Sequence, residues 1–126
     1  MKKFISTERS GFKMTFANGL TVSVQWGPCN YCDNKVLTLE DVEKTDYSYS
    51  TDAESNTAEL AIMLDNVFIR PYVILSNMQY PRHYITLGYL SPEDITTIIS
   101  KVKEYPLDGV NRLRGKISSH NLYPYN

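Results

Sequence analysis

The chain reads as an α+β fold: an antiparallel β-sheet of about five strands with one C-terminal amphipathic helix packed on it. Two hairpin patterns and one helix pattern lead there. Apolar residues alternate on both sides of Ala17-Asn18-Gly19 and of Asp65-Asn66, and an apolar period of helical spacing follows Ser91-Pro92-Glu93-Asp94. The length of 126 residues, 42% of them hydrophobic and 21% charged, suits one folded domain, 1–126, divided into sheet (12–90), helix (92–105) and C-terminal arm (107–126).

In the first hairpin, Phe12, Met14 and Phe16 lead into the turn, and Leu20, Val22, Val24 and Trp26 leave it. A two-residue Asn-Gly turn would set Phe16 opposite Thr21 and Met14 opposite Ser23, mixing apolar and polar side chains on one face. A three-residue loop with Gly19 in the left-handed conformation pairs Phe16 with Leu20, Met14 with Val22 and Phe12 with Val24, and this is the register expected. Residues 35–56 show little alternation and many charges, and read as a surface excursion with a helical turn at Leu39–Lys44.

The second hairpin runs from Ala58 to Leu64, turns at Asp65-Asn66, and returns from Val67 to Leu75. A two-residue turn here sets Leu64 against Val67 and Ile62 against Ile69. Pro71 cannot donate a ladder hydrogen bond, so it predicts an edge or a bulge in the returning strand. Tyr84–Leu90 is the expected fifth strand. Ser91 is a hydroxyl N-cap, Pro92 occupies the first helical position, and Glu93 and Asp94 place acids in the first turn. Ile95, Ile98, Ile99, Val102 and Tyr105 then share one face until Pro106 stops the helix. Beyond it, residues 107–126, with Gly109 and Gly115, show no clear period and read either as a mobile arm or as one that packs on a neighbouring copy.

The net charge of −1 is unevenly spread. Residues 40–59 hold Glu40, Asp41, Glu43, Asp46, Asp52, Glu54 and Glu59 against Lys44 alone, whereas Arg112, Arg114 and Lys116 cluster near the end. This balance argues against a protein that coats long nucleic acid, although the basic cluster could grip a few phosphates. No apolar run reaches the ~18 residues of a membrane span or forms a signal peptide, so a cytosolic protein with reduced thiols is expected.

Cys29 and Cys32, in Trp26-Gly27-Pro28-Cys29-Asn30-Tyr31-Cys32, admit three readings. In a thioredoxin-like site the Gly-Pro pair lies between the cysteines; here it precedes both, and no amphipathic helix follows. A tetrahedral zinc would need two further ligands, and the chain offers only His83 and His120, widely separated. Two small thiols in a turn is the reading preferred, so no metal or cofactor is expected. No nucleophile elbow, metal-binding helix or phosphate-cradling glycine loop is present, and no catalytic residue is assigned.

What stands out is tyrosine, with ten residues. Its ring offers a rigid stacking face and its hydroxyl a polar handle, which suits nucleobases and protein interfaces alike. The candidate ligand-binding set combines the rings of Trp26 and Tyr31 with the amides of Asn30 and Asn34 and the guanidinium groups of Arg70, Arg112 and Arg114.

Residues 11–34, GFKMTFANGLTVSVQWGPCNYCDN, together with Ala-Glu-Leu-Ala-Ile at 58–62 and the Ser-Pro-Glu-Asp helix start, carry a resemblance. The chain resembles small phage-encoded proteins whose hallmark is a Phe-x-Asn-Gly hairpin leading into Ser-Val-Gln-x-Gly-x-x-x-Tyr-Cys. By size and layout it is similar to the Thoeris anti-defence sponges. The resemblance implies an N-terminal antiparallel sheet, a helical C-terminal part and assembly as dimers and hexamers. It also implies sequestration of immune signals, namely cyclised ADP-ribose isomers and, at separate sites, cyclic oligonucleotides, in the infected bacterial cytoplasm. Arg112 and Arg114 parallel a late arginine that such sponges use on cyclic-nucleotide phosphates, while Cys29 stands where related sequences are expected to carry Gly. The partners expected are thus a small nucleotide signal and further copies of the chain, with no membrane. The competing expectation is an inhibitor of a host protein that uses the acidic 40–59 segment as its contact surface, and a nucleotide-cleaving enzyme is the third.

Overall fold

The computed structural model describes residues 2–6, 10–27, 29–35 and 54–118. The helical turn expected at Leu39–Lys44, most of the acidic excursion, His120 and the last eight positions lie outside these residues.

Among the described residues, six strands form one antiparallel sheet: β1 (Lys3–Ser6), β2 (Gly11–Thr15), β3 (Leu20–Gln25), β4 (Ala58–Leu64), β5 (Val67–Ile69) and β6 (Thr86–Leu90). The first four are neighbours in chain order. The far edge of β4 is shared, with β5 on Ile62–Leu64 and β6 on Ala58–Ala61. Three helices complete the described chain: the single turn α1 (Pro71–Ile74), then α2 (Pro92–Glu104) and α3 (Leu107–Ser118). The α+β class is as the sequence predicts.

Both hairpin registers follow from matching apolar faces. Phe12 faces Val24 and Met14 faces Val22, while the Phe16 N–H donates to the Leu20 carbonyl at 2.9 Å and Gly19 takes φ +94°. In the second hairpin Leu64 faces Val67 and Ile62 faces Ile69, with Asp65 and Asn66 at φ 51° and 65°, the left-handed pair a two-residue hairpin turn demands.

Four expectations need correction. A sixth strand, β1, pairs with β2 from Lys3↔Thr15 to Ser6↔Phe12. It is a four-residue edge strand whose Phe4 and Ile5 are exposed, so it carries no buried alternation to read. The strand after Asp65-Asn66 ends at Ile69, not Leu75, because Pro71 opens α1: a residue lacking an N–H and fixed near helical φ suits the first helical position. The strand expected from Tyr84 begins at Thr86. Finally, the C-terminal arm is helical over Leu107–Ser118, so two long helices, not one, follow the sheet. Val110 and Leu113 are buried at helical spacing, and Gly109 sits where an added Cβ would come within 2.6 Å of the Tyr105 ring, a close-packing role rather than a helix break.

The core lies between one face of the sheet and the helices. Leu20, Val22 and Val24 of β3 with Leu60, Ile62 and Leu64 of β4 meet Ile98 and Val102 of α2 and Val110 and Leu113 of α3, all almost fully buried. Each such aliphatic contributes about 1.5–3 kcal/mol before entropy. The opposite face carries the polar alternates, including a Thr15–Thr21 hydroxyl pair at 2.8 Å. The start of α2 is a complete capping box: the Asp94 N–H donates to Ser91 Oγ at 3.1 Å, and the Ser91 N–H to Asp94 Oδ2 at 3.0 Å.

Its other end is held by the first hairpin. Asn18 Nδ2 donates to the carbonyls of Val102 (2.9 Å) and Tyr105 (3.0 Å), with Lys103 at 3.3 Å, while its Oδ1 accepts from the Leu20 N–H at 3.0 Å. The Asn-Gly pair therefore does two jobs. Gly19 turns the chain, and Asn18 caps the end of α2, serving the Tyr105 carbonyl and adding a second donor to the Val102 carbonyl, which also accepts the Tyr105 N–H at 3.3 Å.

Candidate functional site

The Cys-Asn-Tyr-Cys loop that follows β3 is held by its own amides. The Gly27 N–H donates to Asn30 Oδ1 at 2.9 Å, and Asn30 Nδ2 donates to Glu59 Oε1 at 3.2 Å. Glu59, from the polar face of β4, also accepts from the Tyr31 N–H at 3.2 Å and from Thr86 Oγ1 at 3.4 Å. Asn34 Nδ2 bridges the carbonyls of Trp26 and Glu54, both at 2.8 Å, and Thr57 Oγ1 exchanges hydrogen bonds with Asp33. The Tyr31 carbonyl accepts from the Tyr89 N–H at 2.8 Å, and an added Cβ on Gly88 would lie 2.6 Å from Tyr31 Cβ. The loop is thus seated on β6. Cys29 is exposed, Cys32 is buried with its Sγ 3.5 Å from the Gly27 carbonyl, and the two are free thiols. Among the described residues no group of three or more His, Cys, Asp or Glu side chains is placed to hold a metal.

Of the seven residues expected to bind ligand, Asn30 and Asn34 therefore have their amides engaged in loop closure, and Tyr31 lies against Lys35, whose Nζ is 4.6 Å from the ring centroid. Arg70 donates from Nη1 to the His83 carbonyl at 2.8 Å just before α1. Arg114 reaches from α3 to the second hairpin, where Nε donates to Asp65 Oδ2 at 3.0 Å, and its guanidinium lies over Gly19 of the first. Trp26 and Arg112 line two different cavities. The seven do not converge on one site.

The larger cavity, about 600 Å³, opens where the sheet meets the start of α2. Its apolar walls are Phe12, Val24, Trp26, Leu90, Ile95 and Ile99, and residues 54–57 form a polar side. The space exists because Ala58 continues the inward row of Leu60, Ile62 and Leu64 with a side chain too short to fill it. Phe12 and Trp26 meet edge to face, with centroids 6.3 Å apart and planes at 65°.

The smaller groove, about 240 Å³, lies between α1 with the 3-10 turn after it (Ser76–Met78) and one face of α3. Tyr72 and Tyr105 supply rings, Arg112 and Lys116 supply cations, Ser76 supplies a hydroxyl, and no carboxylate lines it among the described residues. A third cation borders it: the Arg82 guanidinium stacks 4.8 Å from the Tyr72 ring centroid and donates to Tyr72 Oη at 3.1 Å. Aromatic faces thus lie beside cations here, as in the set expected from sequence, but with different tyrosines. Lys116 belongs to the basic cluster seen in sequence, whereas Tyr72 and Tyr105 lie outside the expected ligand set, because a strand expected through Leu75 hides α1 and an arm without a period hides α3. Once the arm is read as a helix, Gly109, Arg112, Leu113 and Lys116 fall at i, i+3, i+4 and i+7, one stripe facing α1.

Elsewhere, burial and the nearby Asp94 carboxylate push the Tyr80 hydroxyl above its ordinary value. No described helix is long and apolar enough to cross a membrane. No family model, curated protein or solved structure matches the chain.

Proposed function

We propose that this protein captures a nucleotide second messenger without cleaving it, acting as a phage counter-defence sponge in the cytoplasm of the infected bacterium. The messenger is a cyclic ADP-ribose isomer or a cyclic oligonucleotide. The reading rests on the α1–α3 groove, where Tyr72 and Tyr105 offer ring faces within reach of Arg112 and Lys116 and, among the described residues, no carboxylate lines the walls. The resemblance carried by residues 11–34 points the same way. Among the described residues the groove is lined by a serine hydroxyl with no histidine or carboxylate beside it, which supports a reading of binding.

Magnitudes tie capture to assembly. One stacked base contributes about 1–3 kcal/mol and each charge-assisted contact about 1.5–3 kcal/mol. One stack and two phosphate contacts reach about 4–9 kcal/mol before the cost of association, short of the about 12 kcal/mol that nanomolar capture requires. A 240 Å³ groove takes one base-phosphate unit, so the remainder of the ligand must be enclosed by a second copy of the chain. Self-association is therefore part of the proposal.

Incubation with each messenger, removal of free ligand, heating and assay of the supernatant test it. Intact messenger released from the wild type, and lost with Arg112→Ala, supports capture. A chemically altered product would make the protein an enzyme, and no uptake would leave the inhibitor of a host protein as the better reading.

A further inference from the structure

The geometry points to a second, independent binding site: the Trp26 cleft takes a planar ring that carries no negative charge. The site lies apart from the α1–α3 groove and shares no lining residue with it. Its volume of about 600 Å³ falls in the ordinary range for a small-molecule pocket. The indole of Trp26 and the ring of Phe12 form an aromatic corner, with Ile95 and Ile99 of α2 completing the apolar wall. These side chains pack against the core yet stay only partly buried, and among the described residues none fills the space in front of Ala58. Ser55, Asn56 and Thr57 lie along one side, where they can meet the polar edge of a heterocycle.

Charge decides the class of ligand. Among the described residues no lysine or arginine lines the cleft, and the ionisable side chain on its wall is Glu54. Pro92 brings the first turn of α2 to the rim, and that turn carries Glu93 and Asp94. The amide and hydroxyl of the capping box are already used within it, so the helix start offers an anion little compensation. A phosphate or carboxylate here meets like charge, whereas a neutral heterocycle stacks without penalty and a cationic one gains from the indole face and the Glu54 carboxylate. The two cavities thus have opposite electrostatic preference.

Trp26 is the chain's single tryptophan, so its fluorescence reports on this cleft alone. Titration with adenosine and with adenosine 5′-monophosphate, which share a ring and differ by a phosphate, should give saturable quenching by the nucleoside and at least about fivefold weaker quenching by the nucleotide. Glu54→Lys, an exposed change, should narrow or reverse that ratio, and Arg112→Ala should leave both titrations unchanged. A circular dichroism melt checks that each variant folds. Equal quenching by the two ligands, no quenching by adenosine at millimolar concentration, or an unchanged ratio in Glu54→Lys would overturn the inference. Loss of adenosine quenching in Arg112→Ala would do so too, by merging the two sites.

Discussion

Replacing Asn18 by alanine tests the link between the first hairpin and α2. The side chain makes one bond as acceptor, from the Leu20 N–H, and its two amide hydrogens serve the Val102 and Tyr105 carbonyls, with Lys103 sharing at longer range. Three hydrogen bonds at about 1 kcal/mol each set a ceiling of about 3 kcal/mol. Water can reach the half-buried position and replace part of this, so a loss of about 2–3 kcal/mol is expected, a large share of the 5–15 kcal/mol typical of a small domain. Urea unfolding followed by circular dichroism measures it, with the midpoint shifting and the slope unchanged. Asn18→Asp sharpens the test: it keeps the acceptor, loses both donors and puts a negative charge at the C-terminal end of a helix dipole, so it should cost at least as much as alanine. A loss below about 0.5 kcal/mol for alanine, or an aspartate variant more stable than the alanine one, would refute the reasoning.

Glu59→Ala removes the carboxylate shared by Asn30, Tyr31 and Thr86, and should cost about 1–3 kcal/mol while freeing the loop. Titration with a thiol reagent should then find Cys32, buried in the wild type, reacting nearly as fast as Cys29. Arg114→Ala should cost less than about 1 kcal/mol, since its ion pair with Asp65 is solvent-exposed, and should leave messenger capture intact where Arg112→Ala abolishes it, as paired calorimetric titrations would show. Tyr80 ionises with more difficulty when folded, first because of burial and then because of Asp94. Its contribution is therefore fully present below the ordinary tyrosine value of about 10 and is lost as pH rises through the elevated folded value. Wild-type stability should accordingly fall more steeply than that of Tyr80→Phe from about pH 10 up to the elevated folded value, in parallel unfolding titrations.

The sequence showed most where side-chain periodicity and turn chemistry agreed. Both hairpin registers and the capping box of α2 were legible because a wrong register would turn apolar residues to solvent, and because Ser91-Pro92-Glu93-Asp94 has one good use. Strand β1 was not legible, since the exposure of Phe4 and Ile5 on an edge leaves no burial pattern. Helix α3 was hidden by Gly109 and Gly115, although Val110, Leu113 and Ile117 keep helical spacing. The site was half-legible: the residue types and Arg112 were found, but the partners Tyr72 and Tyr105 depend on α1 meeting α3, a long-range packing that local pattern does not encode. Asn30 and Asn34 illustrate the converse, amides that suit a ligand by type but are engaged by Glu59, Trp26 and Glu54 in closing a loop.

Small-molecule mass spectrometry on protein purified from cells producing the signal tests the central claim most directly. Intact cyclic nucleotide should co-purify with the wild type in near-stoichiometric amount and be absent from a folded Arg112→Ala variant. Wild-type protein that emerges empty, or that carries a linearised or hydrolysed nucleotide, would contradict it.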